Sequence, residues 1–217
     1  MKFLWILLIS LLIGMPAGAV PYRLAVFGDS LAAGYRLPEK SAFYTQLNQA
    51  LTDKGYDVSV IHASRSGETT AGGVKRQKAL IDKKPDGVIL ELGINDAIRN
   101  IDLKKTEKNL KTLIENFQSN GIPVLLVGMR SIPTRSSAYQ EQFEKMYHDL
   151  AVSYRLTFYP FFMDGVINTT VVGINLTSDK LLPDHLHPSA KGVQIMVENI
   201  LPTIEQFLKK QGIKPKK

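Results

Sequence analysis

With 217 residues, 44% of them hydrophobic and 22% charged, the chain is long enough to bury one substantial core and needs no second domain. It contains no cysteine, which excludes a disulfide framework and a lipoprotein attachment site. Its net charge of +7 reads first as a solvated basic surface, with at most weak contact with an anionic membrane surface. Arginines and aromatic residues are not interleaved as a nucleic-acid groove requires, so no nucleic acid is expected as a partner.

Residues 1–19 differ in kind from the rest. Lys2 precedes an apolar run over residues 3–13, and Pro16 then leads into Ala17-Gly18-Ala19. A charged start, an apolar core and a small-x-small site read as a secretory signal peptide cleaved near Ala19, giving an exported periplasmic or secreted protein. The run is shorter than the roughly 20 residues that span a bilayer, although a retained anchor is the alternative. Its removal leaves 26 basic against 20 acidic side chains in the single domain expected over residues 20–217.

That domain begins with Leu24-Ala25-Val26-Phe27, four consecutive apolar residues that read as a strand buried on both faces, followed by Gly28-Asp29-Ser30-Leu31. Phe43, Leu47, Ala50 and Leu51 recur at helical spacing over residues 42–54, and Gly55 stops the helix. A second strand is expected over residues 57–61 and a loop over residues 62–70 containing Ser66-Gly67-Glu68. The next helix runs up to Lys84-Pro85, the third strand over residues 86–92, and Gly93-Ile94-Asn95-Asp96 follows. An amphipathic helix over residues 103–120, a strand over 122–127, a helix over 137–154 and a short strand over 156–159 continue the alternation. A long segment from Pro160 to Pro183 precedes Asp184-His185-Leu186-His187-Pro188, and a last helix is expected over residues 190–211.

Strands alternating with helices of this length imply a parallel sheet with right-handed crossovers. The expected fold class is therefore α/β: a three-layer α/β/α sandwich on a five-stranded parallel sheet, flavodoxin-like in topology. In such sheets sites lie beyond the carboxyl ends of the strands, where Ser30, Gly67, Asn95 and the 184–187 segment can converge.

A serine hydroxyl becomes a nucleophile only when a base takes its proton and a third group holds that base. His187, with Asp184 three residues earlier and Pro188 restricting its backbone, suits the base, with His185 as rival. His62 and His148 have no carboxylate at a useful spacing. An oxyanion needs aimed donors, which the Asn95 amide and the N–H groups of Gly67 and Ser30 can supply. Taken singly, each is also an ordinary turn or capping residue. The serine of an α/β-hydrolase would sit in Gly-x-Ser-x-Gly, whereas residue 32 here is alanine. A metal site on Asp184, His185 and His187 would need a further ligand cluster that the sequence does not offer, so neither metal nor cofactor is expected.

Taken together, Gly28-Asp29-Ser30-Leu31, Gly67 with its neighbours, Gly93-Ile94-Asn95-Asp96 and Asp184-x-x-His187-Pro188 resemble the SGNH (GDSL) hydrolase family from about Tyr22 to Leu208. The chain is most similar to the exported bacterial arylesterase, acyl-thioesterase and lysophospholipase branch. The resemblance implies Ser30 as nucleophile, His187 as base, Asp184 as its orienter, and an oxyanion hole of Ser30, Gly67 and Asn95. It implies cleavage of small-molecule or lipid acyl esters or thioesters, with no obligate protein partner. A carbohydrate O-acetyl esterase, or a lipid- or glycan-binding module without turnover, are the alternatives. Arg65 departs from the uncharged residue expected before Ser66-Gly67 and bears on substrate contacts.

The 161–182 stretch is apolar, sparsely charged and without helical period, as expected of a functional wall next to the site or of a satellite core. Phe161, Phe162, Val172 and Ile174 are its candidate substrate-binding residues, with Gly165 and Gly173 allowing movement.

Overall fold

The computed structural model describes residues 20–167 and 179–216. In chain order the elements are β1 (Tyr22–Phe27), α1 (Ser30–Ala33), α2 (Phe43–Asp53), β2 (Val58–His62), α3 (Thr70–Ile81), β3 (Gly87–Leu90), α4 (Ile94–Ile98), α5 (Leu103–Ser119), β4 (Val124–Val127), α6 (Ser137–Ser153), β5 (Thr157–Tyr159) and α7 (Ala190–Lys210). A 3-10 turn over Glu39–Ser41 precedes α2. The sheet order is β2-β1-β3-β4-β5 with every pair parallel, which is the expected five-stranded α/β sandwich.

The continuous apolar runs form the central strands because both sheet faces are covered. Leu24 to Phe27, Val88 to Leu90 and Leu125 to Val127 are wholly buried. Helices α2 and α7 pack together on one face, while α3, α5 and α6 form the other layer. Each presents an apolar stripe: Leu110, Leu113, Ile114 and Phe117 on α5, and Val193, Met196, Ile200, Ile204 and Phe207 on α7. Helix α7 continues through Pro202 although an interior proline forfeits a backbone hydrogen bond, because buried residues on both sides hold it to the sheet.

The chain leaves β1 for β2 on one side and returns from β2 to β3 on the other. The carboxyl ends of β1 and β3 therefore flank a topological switch point, where α/β sheets open a crevice. Phe27 pairs with Leu90 at that edge, so Ser30 and Asn95 leave adjacent strands side by side.

Two elements escape the hydrophobic pattern, and both lie at this edge. Helices α1 and α4 have four and five residues, too few for a 3.6-residue period to register. Asp29 caps α1 by accepting the Leu31 N–H at 3.0 Å. Gly93 opens α4 at φ +132°, where a Cβ would run into the Tyr147 hydroxyl. That hydroxyl donates to the Leu92 carbonyl at 2.8 Å.

Candidate active site

Ser30 Oγ lies 2.8 Å from His187 Nε2, and His187 Nδ1 lies 2.9 Å from Asp184 Oδ2. Asp184 Oδ1 also accepts the backbone N–H groups of Leu186 and His187, at 3.1 and 3.0 Å. Partial burial works to raise this carboxyl, but those N–H groups and the imidazole hold it below the ordinary carboxylate range. Asp184 therefore stays an acceptor for Nδ1–H, which leaves Nε2 facing Ser30 Oγ.

The loop carrying both residues is shaped by its own backbone. Leu182 N–H donates to the His187 carbonyl at 2.8 Å, His185 N–H to the Leu182 carbonyl at 2.9 Å, and Leu181 bridges to Pro188. His185 takes the left-handed φ of +56° that this tight loop demands. His187 is the histidine within hydrogen-bond reach of Ser30; His185 lines a neighbouring apolar cavity instead. The Tyr35 ring packs on the His187 imidazole with centroids 4.4 Å apart, a contact that sequence spacing did not reveal.

Gly67 and Asn95 line the same cavity of about 310 Å³ as Ser30 and His187. Gly67 adopts φ +74°, so the turn that faces its backbone to the cavity suits a residue without Cβ. Asn95 Nδ2 donates to Asp29 Oδ2 at 3.0 Å, which turns the amide nitrogen toward the loop that carries Ser30. Asp96 braces the two halves: it accepts the Thr70 N–H at 2.9 Å and the Thr106 hydroxyl at 3.3 Å, joining the Gly67 loop to α4 and α5. Arg76 ties the other side, pairing with Glu68, donating to the Ala63 carbonyl at 2.6 Å and stacking 3.9 Å from the Phe27 ring centroid.

Beneath these groups lies a buried carboxyl pair. Glu91 Oε2 accepts the Asp29 N–H at 3.1 Å, and Glu91 Oε1 has no hydrogen-bond partner among the described residues. Burial pushes Asp29 up to about 7, against the lowering effect of the Leu31 N–H and the Asn95 amide. Burial, with Asp29 nearby, drives Glu91 well above the carboxylate range. Sequence reasoning missed Glu91, although a carboxylate inside Val88-Ile89-Leu90-Glu91-Leu92 is a charge within a buried run, a signal that could have been read.

Beside the serine opens a second cavity of about 290 Å³, whose lining includes Met129, Ile132, Phe161, Met163 and Ile167. Of the expected substrate-binding residues, Phe161 lines it, under the Arg130 guanidinium 4.4 Å from its ring centroid. Phe162 does not: it is fully buried and packs edge-to-face on Phe43 of α2, with centroids 4.8 Å apart, so it is a core residue. Phe161 opens a turn in which the Asp164 N–H donates to its carbonyl at 3.1 Å, and at this turn the two neighbouring rings part, one to the cavity and one to the core. Val172 and Ile174 lie outside the described residues. Met129 and Ile132, which follow β4, were not among the expected substrate-binding residues, because their loop has no period. A larger groove of about 660 Å³ along α5 and α6 is lined by none of the described site residues.

Among the described residues no group of three or more His, Cys, Asp or Glu side chains could hold a metal ion.

The fold and this constellation define the class: the chain belongs to the GDSL-like lipase/acylhydrolase family, whose model matches residues 26–195, and it has the SGNH hydrolase fold. It is 33% identical over 191 residues to Esterase TesA of Pseudomonas aeruginosa, covering 88% of this chain and 91% of that protein. It is 34% identical over 144 residues to Thioesterase 1/protease 1/lysophospholipase L1 of Escherichia coli, covering 66% of this chain and 68% of that protein. The solved structure of a TesA superposes with a TM-score of 0.78 at 32% identity, over 86% of this chain and 99% of the other.

Proposed function

We propose that the protein is a serine esterase and thioesterase that works through an acyl-enzyme on Ser30. What carries the reading is the continuous chain from Asp184 to His187 to Ser30, at 2.9 and 2.8 Å, beside candidate oxyanion donors. His187 Nε2 takes the hydroxyl proton as Oγ attacks the acyl carbon. Asp184 holds the tautomer and stabilises the imidazolium. The Ser30 and Gly67 N–H groups and the Asn95 amide receive the developing oxyanion, each donor supporting a rate factor of about a hundred to a thousand. His187 then protonates the departing alcohol or thiol, and water, activated by the same imidazole, releases the acid. The relatives named as esterase and as thioesterase and lysophospholipase support this range of leaving groups.

The apolar cavity beside Ser30 is the proposed acyl site, and it favours acyl chains over the polar acetylated sugar of the alternative reading. Ser30→Ala and His187→Ala should each lower kcat by about four to six orders of magnitude, and Asp184→Asn by less. A phosphonate should label Ser30 alone in wild type; turnover by Ser30→Ala at a tenth of the wild-type rate would reject the nucleophile.

Export belongs to the same reading. Among the described residues no helix is long and apolar enough to cross a membrane, and residues 1–19 carry the pattern of a cleaved signal. Amino-terminal sequencing of the mature protein should begin at Val20, and a mature form beginning at Met1 would refute cleavage.

A further inference from the structure

We propose that Arg99 is a specificity-determining residue that selects leaving groups carrying a phosphate. The inference rests on the esterase reading of Ser30 and adds to it the chemistry of the departing half of the substrate.

Two cavities meet at the serine, and Leu31, Ile94 and Leu186 line both, forming the saddle between them. An acyl carbon bonded to Ser30 Oγ sits in the first cavity and sends its chain across the saddle into the apolar one. The substituents of a tetrahedral carbon diverge, so the leaving group stays on the side lined by Ser66, Gly67, Ile98 and Arg99.

Of the described residues lining that side only Arg99 carries a permanent charge, and none is a carboxylate. The guanidinium is exposed, and its one described hydrogen bond runs from Nη2 to the Gly67 carbonyl at 2.8 Å. That bond anchors the group beside the proposed oxyanion glycine. It has no ion-pair partner among the described residues, whereas Arg76 is matched by Glu68 and Arg130 by Glu144. A planar, permanently charged fork with uncommitted N–H donors fits two oxygens of a phosphate. Arg65, exposed two residues before Gly67, adds a second positive charge to the same loop. A phosphate reaches such a site either on a glycerophosphate headgroup or on the nucleotide of an acyl-CoA.

The test uses two matched pairs with one acyl chain: 1-octanoylglycerol 3-phosphate against 1-octanoylglycerol, and octanoyl-CoA against octanoyl-N-acetylcysteamine. Wild type should favour the phosphate member in kcat/KM. Arg99→Ala should cut that preference by about tenfold to a hundredfold, mainly through KM, as loss of a charge-assisted hydrogen bond implies. Arg99→Lys should retain part of it, and circular dichroism checks that both variants fold. A preference in both pairs, or in one pair that thereby identifies headgroup or nucleotide phosphate as the source, supports the assignment. Absence of preference in wild type overturns it. So does an equal loss for both members of each pair in Arg99→Ala, which would make Arg99 only a prop for Gly67. Failure of wild type on all four substrates and on p-nitrophenyl octanoate would instead reject the esterase reading itself, and the assignment with it.

Discussion

Two carboxyl groups buried beside Ser30 would be costly if both were charged, and the unequal surroundings of Asp29 and Glu91 decide which of them holds a proton more firmly. Asp29 has the Leu31 N–H and the Asn95 amide to accept, whereas Glu91 has one N–H and an oxygen without a described partner. Glu91 therefore holds its proton more firmly than Asp29, whose two donors favour the charged form while burial raises it. A carboxyl raised by burial stabilises the fold below its unfolded value, and that contribution is lost as pH rises toward its folded value. Glu91→Gln, which has no proton to lose, should thus gain stability on wild type as pH rises above the ordinary carboxylate range. The gain should be about 1.4 kcal/mol per pH unit at most. Thermal melts between pH 4.5 and 8 measure it, and a difference that is flat with pH would show that Glu91 is not held protonated.

Among the elements, α4 depends on the glycine that opens it. Gly93 stands at φ +132°, a region that side chains rarely adopt, and the Tyr147 hydroxyl occupies the space a methyl group would need. Gly93→Ala must therefore pay for backbone strain and for displacing a buried hydroxyl that holds the Leu92 carbonyl. We expect a loss of about 2–3 kcal/mol, or a Tm lower by roughly 5–10 °C in a chain of this size. Activity should fall further than stability explains, because α4 delivers Asn95 two residues later. A Tm within 2 °C of wild type, measured by calorimetry, would contradict this account. The loop of residues 181–188 is the opposite case: its shape comes from local backbone bonds, so the relative position of Asp184 and His187 is set within one short segment.

At the scale of the whole molecule, the sheet brings four sequence-distant segments to one edge and leaves an apolar cavity beside them. The cavity walls come from α1, α4, the segment after β4, the segment after β5 and the 184–186 turn. Each substrate methylene buried there contributes about 0.8 kcal/mol, enough to favour medium chains over acetate. kcat/KM for p-nitrophenyl esters should therefore rise from acetate to hexanoate or octanoate. Ile132→Asp should flatten the rise while acetate hydrolysis persists, since Ile132 lines only the acyl cavity. A wild-type profile that peaks at acetate would reject the acyl cavity and favour the O-acetyl esterase reading.

Much of the fold was legible in the residues because period and punctuation are local. Buried strands read as unbroken apolar runs, α5 and α7 as stripes, and Gly55 as a stop. The expected boundaries of these elements lie within about two residues of the observed ones. Ser30, Gly67, Asn95, Asp184 and His187 could be singled out because their chemistry is carried by residue type in short motifs. Other features depend on what the sheet places side by side. The pairing of Asp29 with Glu91 spans 62 positions, and the Tyr35 stack on His187 joins opposite ends of the domain. Phe161 and Phe162 are identical in residue type, and only packing sends one to the cavity and the other into the core. The sequence by itself determined the parallel α/β sheet and singled out the residues proposed for acyl chemistry, because periodicity and functional groups are properties of neighbouring residues. The tertiary structure alone decided that Asp29 meets Glu91, which phenylalanine meets the cavity and where Arg99 stands, because packing and field arise between segments that no spacing relates.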